Sequence, residues 1–147
     1  MNAPDVRRKY VIDTSVTLKW FVQKEEADLE KARDLKRAQV EGRCSLRAPA
    51  FILLEIANAL VRGHRREPDY VAEVLDAIRE LEVELEAMRE RTLVHAVRLA
   101  SSCGVTVYDS YFLAMAVESG DVLVTADDAF IRKVGAHANL IALRQLK

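Results

Sequence analysis

The sequence has few cysteines and no long apolar run, and each shortage excludes a class of protein. Its 147 residues include only two cysteines, Cys44 and Cys103, which are too few for a disulfide framework and lack the spacing of a metal-binding motif. No run reaches the roughly 18 apolar residues that a membrane span requires, and residues 1–9 contain no apolar signal core. These shortages predict a protein of the reducing cytoplasm without a membrane segment.

The sequence also lacks a strong excess of charge of either sign. Charged residues make up 31% of the chain, yet the formal net charge is only −1. Proteins that bind along duplex nucleic acid usually have a strongly basic surface, so any polyanion bound here must be held by local patches. Internal repeats and low-complexity tracts are missing too, and 50% of the residues are hydrophobic. We therefore expect a single domain over residues 1–147 with a buried core.

Strand-like and helix-like segments alternate along the chain. The first strand contains Val11 and Ile12, an apolar pair typical of the central strand of a parallel sheet, buried on both faces. The alternation favours a three-layer α/β/α sandwich with a central parallel sheet and right-handed crossovers. Strands are expected at about 10–12, 44–48, 83–85, 105–107, 121–125 and 140–143, and helices at about 14–22, 25–40, 49–62, 68–81, 89–101, 110–118 and 127–134.

Four acids stand beside or inside apolar segments. Asp13, Asp109 and Asp127 each follow a strand-like segment and precede a helix. Taken singly, each is equally well explained as a helix N-cap, which contributes about 1 kcal/mol. Glu55 lies inside the apolar helix at 49–62, where a cap does not explain it. An ionised carboxylate there is costly unless it points outward, pairs with an arginine or binds a cation.

Taken together, the four acids are expected to cluster beyond the carboxyl ends of the strands, where open α/β sheets bind ligands. Neighbouring strands lie about 4.8 Å apart. Two carboxylates about 4 Å apart repel by roughly 4 kcal/mol at an effective dielectric of about 20, so the cluster is hard to justify without a cation. Oxygen ligands without nearby His or Cys favour Mg²⁺ or Mn²⁺ over zinc. Such a site supports the attack of water on a phosphate.

Four segments carry a resemblance to a known family: residues 11–15 (VIDTS), 49–60 (PAFILLEIANAL), 108–116 (YDSYFLAMA) and 123–127 (LVTAD). In their order and spacing, the chain resembles PIN-domain ribonucleases, and in particular VapC-type toxins of toxin-antitoxin pairs. The resemblance implies a metal-dependent endoribonuclease whose catalytic, metal-binding residues are Asp13, Glu55, Asp109 and Asp127. It also implies hydrolysis of RNA by metal-activated water, leaving a 5′-phosphate and a 3′-hydroxyl without a covalent enzyme intermediate.

Three further residues match supporting positions of that family. The resemblance assigns Ser15 and Thr125 to the positioning of water or phosphate, although local capping of the following helix explains both hydroxyls equally well. Asn58 matches a position that steadies the acidic site. Asp128 is either a stand-in for Asp127 or, more simply, a first-turn acid favoured by the helix dipole.

The resemblance also implies an RNA substrate, a homodimer and a cognate antitoxin whose arginine-bearing tail covers the acidic groove. Two alternatives stay open. One is a PIN-fold binding module without catalysis, which the loss of an acid would favour, although all four are present. The other is a phosphatase or phospho-receiver with an Asp after its first strand. Ser15 stands where dehalogenase-type phosphatases need a second Asp.

Overall fold

The computed structural model describes residues 7–21 and 27–147. Within these ranges a single sheet contains five parallel strands: β1 (Arg8–Ile12), β2 (Cys44–Pro49), β3 (Glu84–Glu86), β4 (Val122–Thr125) and β5 (Leu140–Ala142). Their order in the sheet is β3-β2-β1-β4-β5. The first strand is therefore the central one, and Val11 and Ile12 within it are buried, as the apolar pair predicted.

Helices flank the sheet and complete the predicted α/β/α sandwich. A π-helical segment at Ala59–Gly63 continues the third helix, and short 3₁₀ turns lie at Leu18–Trp20 and Leu143–Gln145. None of the described helices combines the length and apolarity that crossing a bilayer requires. The seven α-helices of the described ranges are α1 (Thr14–Thr17), α2 (Leu29–Val40), α3 (Ile52–Asn58), α4 (Pro68–Glu80), α5 (Glu90–Cys103), α6 (Val107–Ser119) and α7 (Asp128–Val134).

The predicted strand at 105–107 is wrong, and the difference affects one of the acids. Val107 is the first residue of α6, and Thr106 is its N-cap, because the Thr106 hydroxyl accepts a hydrogen bond from the Asp109 backbone N–H at 3.1 Å. This local bond outweighs the strand preference of the β-branched residues at 105–107. Asp109 therefore lies in the first turn of α6 and does not follow a strand.

Two other expected boundaries also moved. Pro49 is the last residue of β2, and α3 begins at Ile52 instead of at the proline. One face of α3 packs into the core through Ile52 and Ile56, whereas Leu54 on the opposite face is 74% exposed, so the helix is not buried all round as its composition suggested. The predicted first and second helices include residues 22, 25 and 26, which lie outside the described residues.

Candidate active site

Asp13 directly follows β1 and is held by hydrogen bonds from α1 and from the end of β4. Its Oδ1 accepts from the Val16 backbone N–H at 3.2 Å, so it is also the N-cap of α1. The Ser15 hydroxyl donates to the same oxygen at 2.5 Å, and the Thr125 hydroxyl donates to Oδ2. Because β1 and β4 are neighbours, Thr125 at the end of β4 lies beside Asp13. These donors fix the orientation of the carboxylate.

The hydroxyls of Ser15 and Thr125 join the ends of β1 and β4. Ser15 Oγ accepts from the Ala126 backbone N–H at 2.9 Å, and Thr125 Oγ1 accepts from the Asp127 N–H at 3.1 Å. The two hydroxyl oxygens are 3.4 Å apart. Each hydroxyl thus binds the Asp13 carboxylate on one side and the turn after β4 on the other, so both act on the acid rather than as caps of a following helix.

Asp127 and Asp128 follow β4 but have different surroundings. Asp127 is half-buried and caps α7, because its Oδ1 accepts from the Phe130 backbone N–H at 3.0 Å. Asp128 is exposed and forms an ion pair with Arg144. Its position is that of an ordinary first-turn acid. The structure therefore favours Asp127 over Asp128 as the acid of the site.

Glu55 reaches the site from α3. The side chain is half-buried, and its Oε2 accepts a hydrogen bond from the Thr14 hydroxyl at 2.5 Å. Glu55 therefore has a hydroxyl partner in α1 instead of pairing with an arginine. Thr14 immediately follows Asp13, so two consecutive residues, Thr14 and Ser15, hold two different acids.

Asp109 interacts electrostatically with each of the other three acids. Its negative charge raises the pKa of Asp13 and of Glu55, and the charge of Asp127 in turn raises the pKa of Asp109. Asp109 and Asp127 also line a common surface cavity of about 360 Å³. The first turn of α6 thus brings Asp109 toward the carboxyl ends of β1 and β4 and toward α3.

Burial is the largest cause of the raised pKa values. It raises the pKa of Asp13 to about 6, against the opposing effect of the hydrogen bonds from Ser15, Thr125 and Val16. It also raises the pKa of Glu55 and of Asp109, where bonds to Thr14 and Thr106 oppose the shift. The cluster therefore carries more negative charge than its surroundings stabilise, which is the electrostatic condition for binding a cation.

The donor set fits a hard divalent cation better than zinc. All four side chains offer carboxylate oxygens, the ligands that Mg²⁺ and Mn²⁺ prefer. Across residues 7–21 and 27–147, no three Asp, Glu, His or Cys side chains converge into a ready ligand set for a metal ion. Mg²⁺ typically keeps several waters and binds through one or two carboxylates. In that mode one or two of the four carboxylates would contact the ion directly, and the others would face its bound waters.

The structure adds Thr106 and Thr14 to the residues named from the sequence. It shows no hydrogen bond between the acids and a third residue, Asn58, within the described part of the chain. Thr106 could have been found, because Thr106 and Asp109 have the spacing of a capping box. Thr14 has no such signal, since its bond to Glu55 depends on how α1 packs against α3. Asn58 is exposed at the end of α3, and no hydrogen bond within the described part of the chain joins it to an acid.

The fold and the acids together define an α/β/α protein with an acidic site at the carboxyl ends of parallel strands. A PIN domain family model matches residues 10–136, a range that includes Asp13, Glu55, Asp109 and Asp127. The chain belongs to the PIN domain family, as the four sequence segments predicted, and members of this family are nucleases. A comparison with curated proteins found no significant match.

Several solved structures share the fold. The crystal structure of PAE2754 from Pyrobaculum aerophilum is 22% identical, with 97% of this chain and 93% of that chain covered and a TM-score of 0.63. A toxin-antitoxin complex from Klebsiella pneumoniae is 12% identical (91% and 97% covered, TM-score 0.64). VapBC2 from Rickettsia felis, bound to a promoter DNA fragment, is 15% identical (91% and 96% covered, TM-score 0.63). At these identities the similarity establishes the fold alone.

Proposed function

We propose that this chain is a divalent-metal-dependent endoribonuclease and the toxin of a VapBC-type toxin-antitoxin pair. The observation that carries the proposal is the placement of the acids around the ends of β1 and β4. Thr125 bonds to Asp13, and Thr14, the residue after Asp13, bonds to Glu55. Asp109 and Asp127 line one cavity. Membership of a nuclease family supports the reaction class. The toxin assignment draws support from similar folds described as toxin-antitoxin complexes and as VapBC2.

In this proposal the four acids would hold Mg²⁺ or Mn²⁺, which supplies Lewis-acid polarisation of the phosphate and activation of water. Ser15 and Thr125 keep the Asp13 carboxylate in place, and Thr14 does the same for Glu55. Without a cation, the negative cluster repels the phosphates of RNA. Metal and substrate should therefore bind cooperatively, and the products should carry a 5′-phosphate and a 3′-hydroxyl.

The remaining parts of the proposal concern partners and setting. We propose a single domain over residues 1–147, a cytoplasmic location, a homodimer, and a cognate antitoxin whose arginine covers the acids. A contiguous apolar patch supports a protein interface on this molecule, because monomeric proteins rarely leave large apolar patches in water. Met88 and Tyr108, which are 61% and 69% exposed, line one cavity with Phe51 and Leu93. Asn58 is proposed as a supporting residue, by analogy with the family.

The experiment that tests the nuclease function is cleavage of a labelled total RNA pool by the purified protein with Mg²⁺ or Mn²⁺. Cleavage should disappear in EDTA and in Asp13→Asn. It should persist in Asp76→Asn, which removes an exposed carboxylate of α4. RNA that stays intact with either metal, while the protein is folded, contradicts the proposal. Tight binding of intact RNA would then favour a PIN-fold binding module.

A second measurement tests the metal site without cleavage. A ligand that binds only the native state raises the melting temperature. Mn²⁺ should therefore raise the melting temperature of the wild type and have little effect on Asp13→Asn or Asp109→Asn. Equal shifts in all three proteins would show that the metal binds elsewhere.

A further inference from the structure

A group of cations surrounds the amino-terminal end of the sheet, at the opposite end from the acids. A cavity of about 420 Å³ is lined by Arg8, Lys31, Arg43 and Lys147. A second cavity of about 620 Å³ is lined by Arg7, Arg8, Lys9 and Lys147. Because the cavities share Arg8 and Lys147, they form one surface. We call it the basic edge and define it as Arg7, Arg8, Lys9, Lys31, Arg43 and Lys147.

The acids that line these cavities are already paired with arginines. Asp34 forms an ion pair with Arg37 at 3.2 Å. Asp121 forms one with Arg47 at 2.6 Å. Neither carboxylate is therefore available to neutralise the basic edge.

Among the described residues, most cations of the basic edge have no acidic side chain paired with them. Within residues 7–21 and 27–147, Arg7, Arg8, Lys9 and Lys147 are exposed and form no ion pair. Lys31 donates to a backbone carbonyl oxygen, which leaves its charge in place. Arg43 is the exception, because it pairs with Glu41 at 2.6 Å. A chain with a net charge of −1 thus concentrates positive charge at one end.

The two ends of the sheet have opposite electrostatic potentials. Arg8 opens β1 and Asp13 follows it, so they are about 16 Å apart at the usual rise per strand residue. A polyanion is attracted to the first end and, in the absence of a cation, repelled by the second. Tyr10, which is half-buried, lines both cavities and offers an aromatic ring between the cations. Cations combined with an aromatic ring are typical of surfaces that bind single-stranded nucleic acid.

We infer that the basic edge binds the phosphate backbone of the RNA strand outside the segment that is cut, an inference that rests on the proposed ribonuclease function. The RNA strand passes from the acids around the sheet to the basic edge, which adds affinity without reading sequence. An acidic protein partner would use the same charges but would not need Tyr10.

The test is the salt dependence of RNA binding by Arg8→Gln/Lys9→Gln, measured in EDTA by fluorescence anisotropy. The ligand is a single-stranded RNA of about 30 nucleotides, long enough to extend well beyond a single site. Each phosphate contact with single-stranded RNA contributes about 0.7 to the slope of log K against log salt concentration. Removing two contacts should therefore reduce the slope by about 1.4. At about 0.1 M salt this is a loss of about 25-fold in affinity.

Arg91→Gln/Arg98→Gln is the matched control, because it removes the same charge from exposed positions on α5. The control should keep the wild-type slope, and melting curves should show that both variants are folded. An equal loss of slope in the control means that only net charge matters and overturns the inference. An unchanged slope in Arg8→Gln/Lys9→Gln also overturns the inference. The basic edge would then be a candidate surface for binding a protein partner.

Failure of this inference is distinguishable from failure of the proposed function, because binding in EDTA requires no cleavage. If the wild type cuts RNA but the slope of Arg8→Gln/Lys9→Gln is unchanged, the inference about the basic edge is refuted and the proposed ribonuclease function stands. If the slope falls as expected but the wild type cuts no RNA, the ribonuclease proposal is refuted, and with it the inference in its stated form.

Discussion

Opposing forces act on the Asp13 carboxylate. Hydrogen bonds from Ser15, Thr125 and Val16 favour its ionised form, yet burial outweighs them and raises its pKa from 3.8 to about 6. The native protein therefore retains a proton that the unfolded chain releases in this pH range. A carboxylate that is aligned by donors but costly to ionise is suited to binding a cation, at the expense of stability when no cation is bound.

Replacing Asp13 by Asn should stabilise the metal-free protein at neutral pH. Between pH 3.8 and about 6 the native wild type binds more protons than the unfolded chain, so its free energy of unfolding falls as the pH rises through this window. A shift of this size corresponds to at most about 3 kcal/mol. Asp13→Asn should be about 1 to 3 kcal/mol more stable at pH 7, with the difference vanishing toward pH 4. Urea denaturation in EDTA measures it.

The control for this prediction is Asp34→Asn on α2, where the carboxylate side chain is 59% exposed. Its effect should stay within about 0.5 kcal/mol at each pH, as for most surface substitutions. If Asp13→Asn is no more stable than the wild type at pH 7, its hydrogen bonds outweigh the cost of burying its charge.

Asp109→Asn should lower the pKa of Asp13. The charge of Asp109 adds to the shift at Asp13, but burial is its largest cause. The pKa should therefore fall below about 6 and stay above 3.8. Carbon-13 NMR titration of the carboxyl groups measures this change directly. Glu118→Gln serves as the control, because that carboxylate accepts a hydrogen bond from Thr92 and lies outside the acidic cluster. An unchanged pKa would mean that the two acids are not coupled.

The sequence pointed to the four acids as candidate site residues but did not specify the contacts between them and their partners. Asp13 and Asp127 are predictable because each follows an apolar strand, and both turned out to be N-caps as well. The proposed site role is compatible with capping, because an N-cap bond uses only one of the two carboxylate oxygens. The second oxygen of Asp13 accepts from Thr125. The bond from Thr14 to Glu55 joins residues 41 positions apart. No local pattern specifies such a contact.

At the scale of elements, α4 shows when a sequence pattern is sufficient. Pro68 occupies its first turn, and Val71, Val74 and Ile78, at helical spacing, are all buried. The start of α6 shows the limit of such patterns. Residues 105–107 resemble a strand by composition, but the hydroxyl of Thr106 begins a helix there. A capping bond is a stronger local determinant than the β propensity of three residues.

Removal of this cap should weaken both α6 and the site. Thr106→Ala should cost about 1 kcal/mol, the usual price of losing a helix N-cap hydroxyl. Because Asp109 lies in the turn that Thr106 holds, stabilisation by Mn²⁺ should also decrease. Thermal melting with and without Mn²⁺ measures both effects. Thr106→Ser keeps the hydroxyl and should behave like the wild type. If Thr106→Ala melts normally, neighbouring contacts hold the turn.

The order of the strands belongs to the whole molecule, and apart from the central place of β1 it was not predicted from the sequence. The central strand β1 pairs with β2 on one side and with β4, more than a hundred residues later, on the other. An ion-pair network crosses the same part of the sheet. Arg47 on β2 pairs with Glu86 on β3, and with Asp121, just before β4, at 2.6 Å. Long-range pairing of this kind depends on packing the whole chain, which residue patterns do not encode.

The Arg47–Asp121 pair should make a large contribution to native stability, measured by removing one partner. The two side chains are only 12% and 8% exposed, so Arg47→Met leaves the Asp121 carboxylate buried without its cation. Breaking a buried pair in this way costs about 3 to 5 kcal/mol. Arg47→Met/Asp121→Asn removes both charges and should recover much of that loss. Urea denaturation of the two variants and the wild type measures the difference.

Arg79→Met is the matched control, because it breaks an exposed pair with Asp76 and should cost less than about 1 kcal/mol. If Arg47→Met were no more destabilising than this control, the network would not hold the strands together. If the double variant were less stable than Arg47→Met alone, the cost would come from lost packing of the arginine and not from the unpaired charge. The expected order of stability is wild type, then the double variant, then Arg47→Met. If that order is observed, β2 needs an arginine at position 47 because the carboxylate of Asp121 is buried and requires a cation.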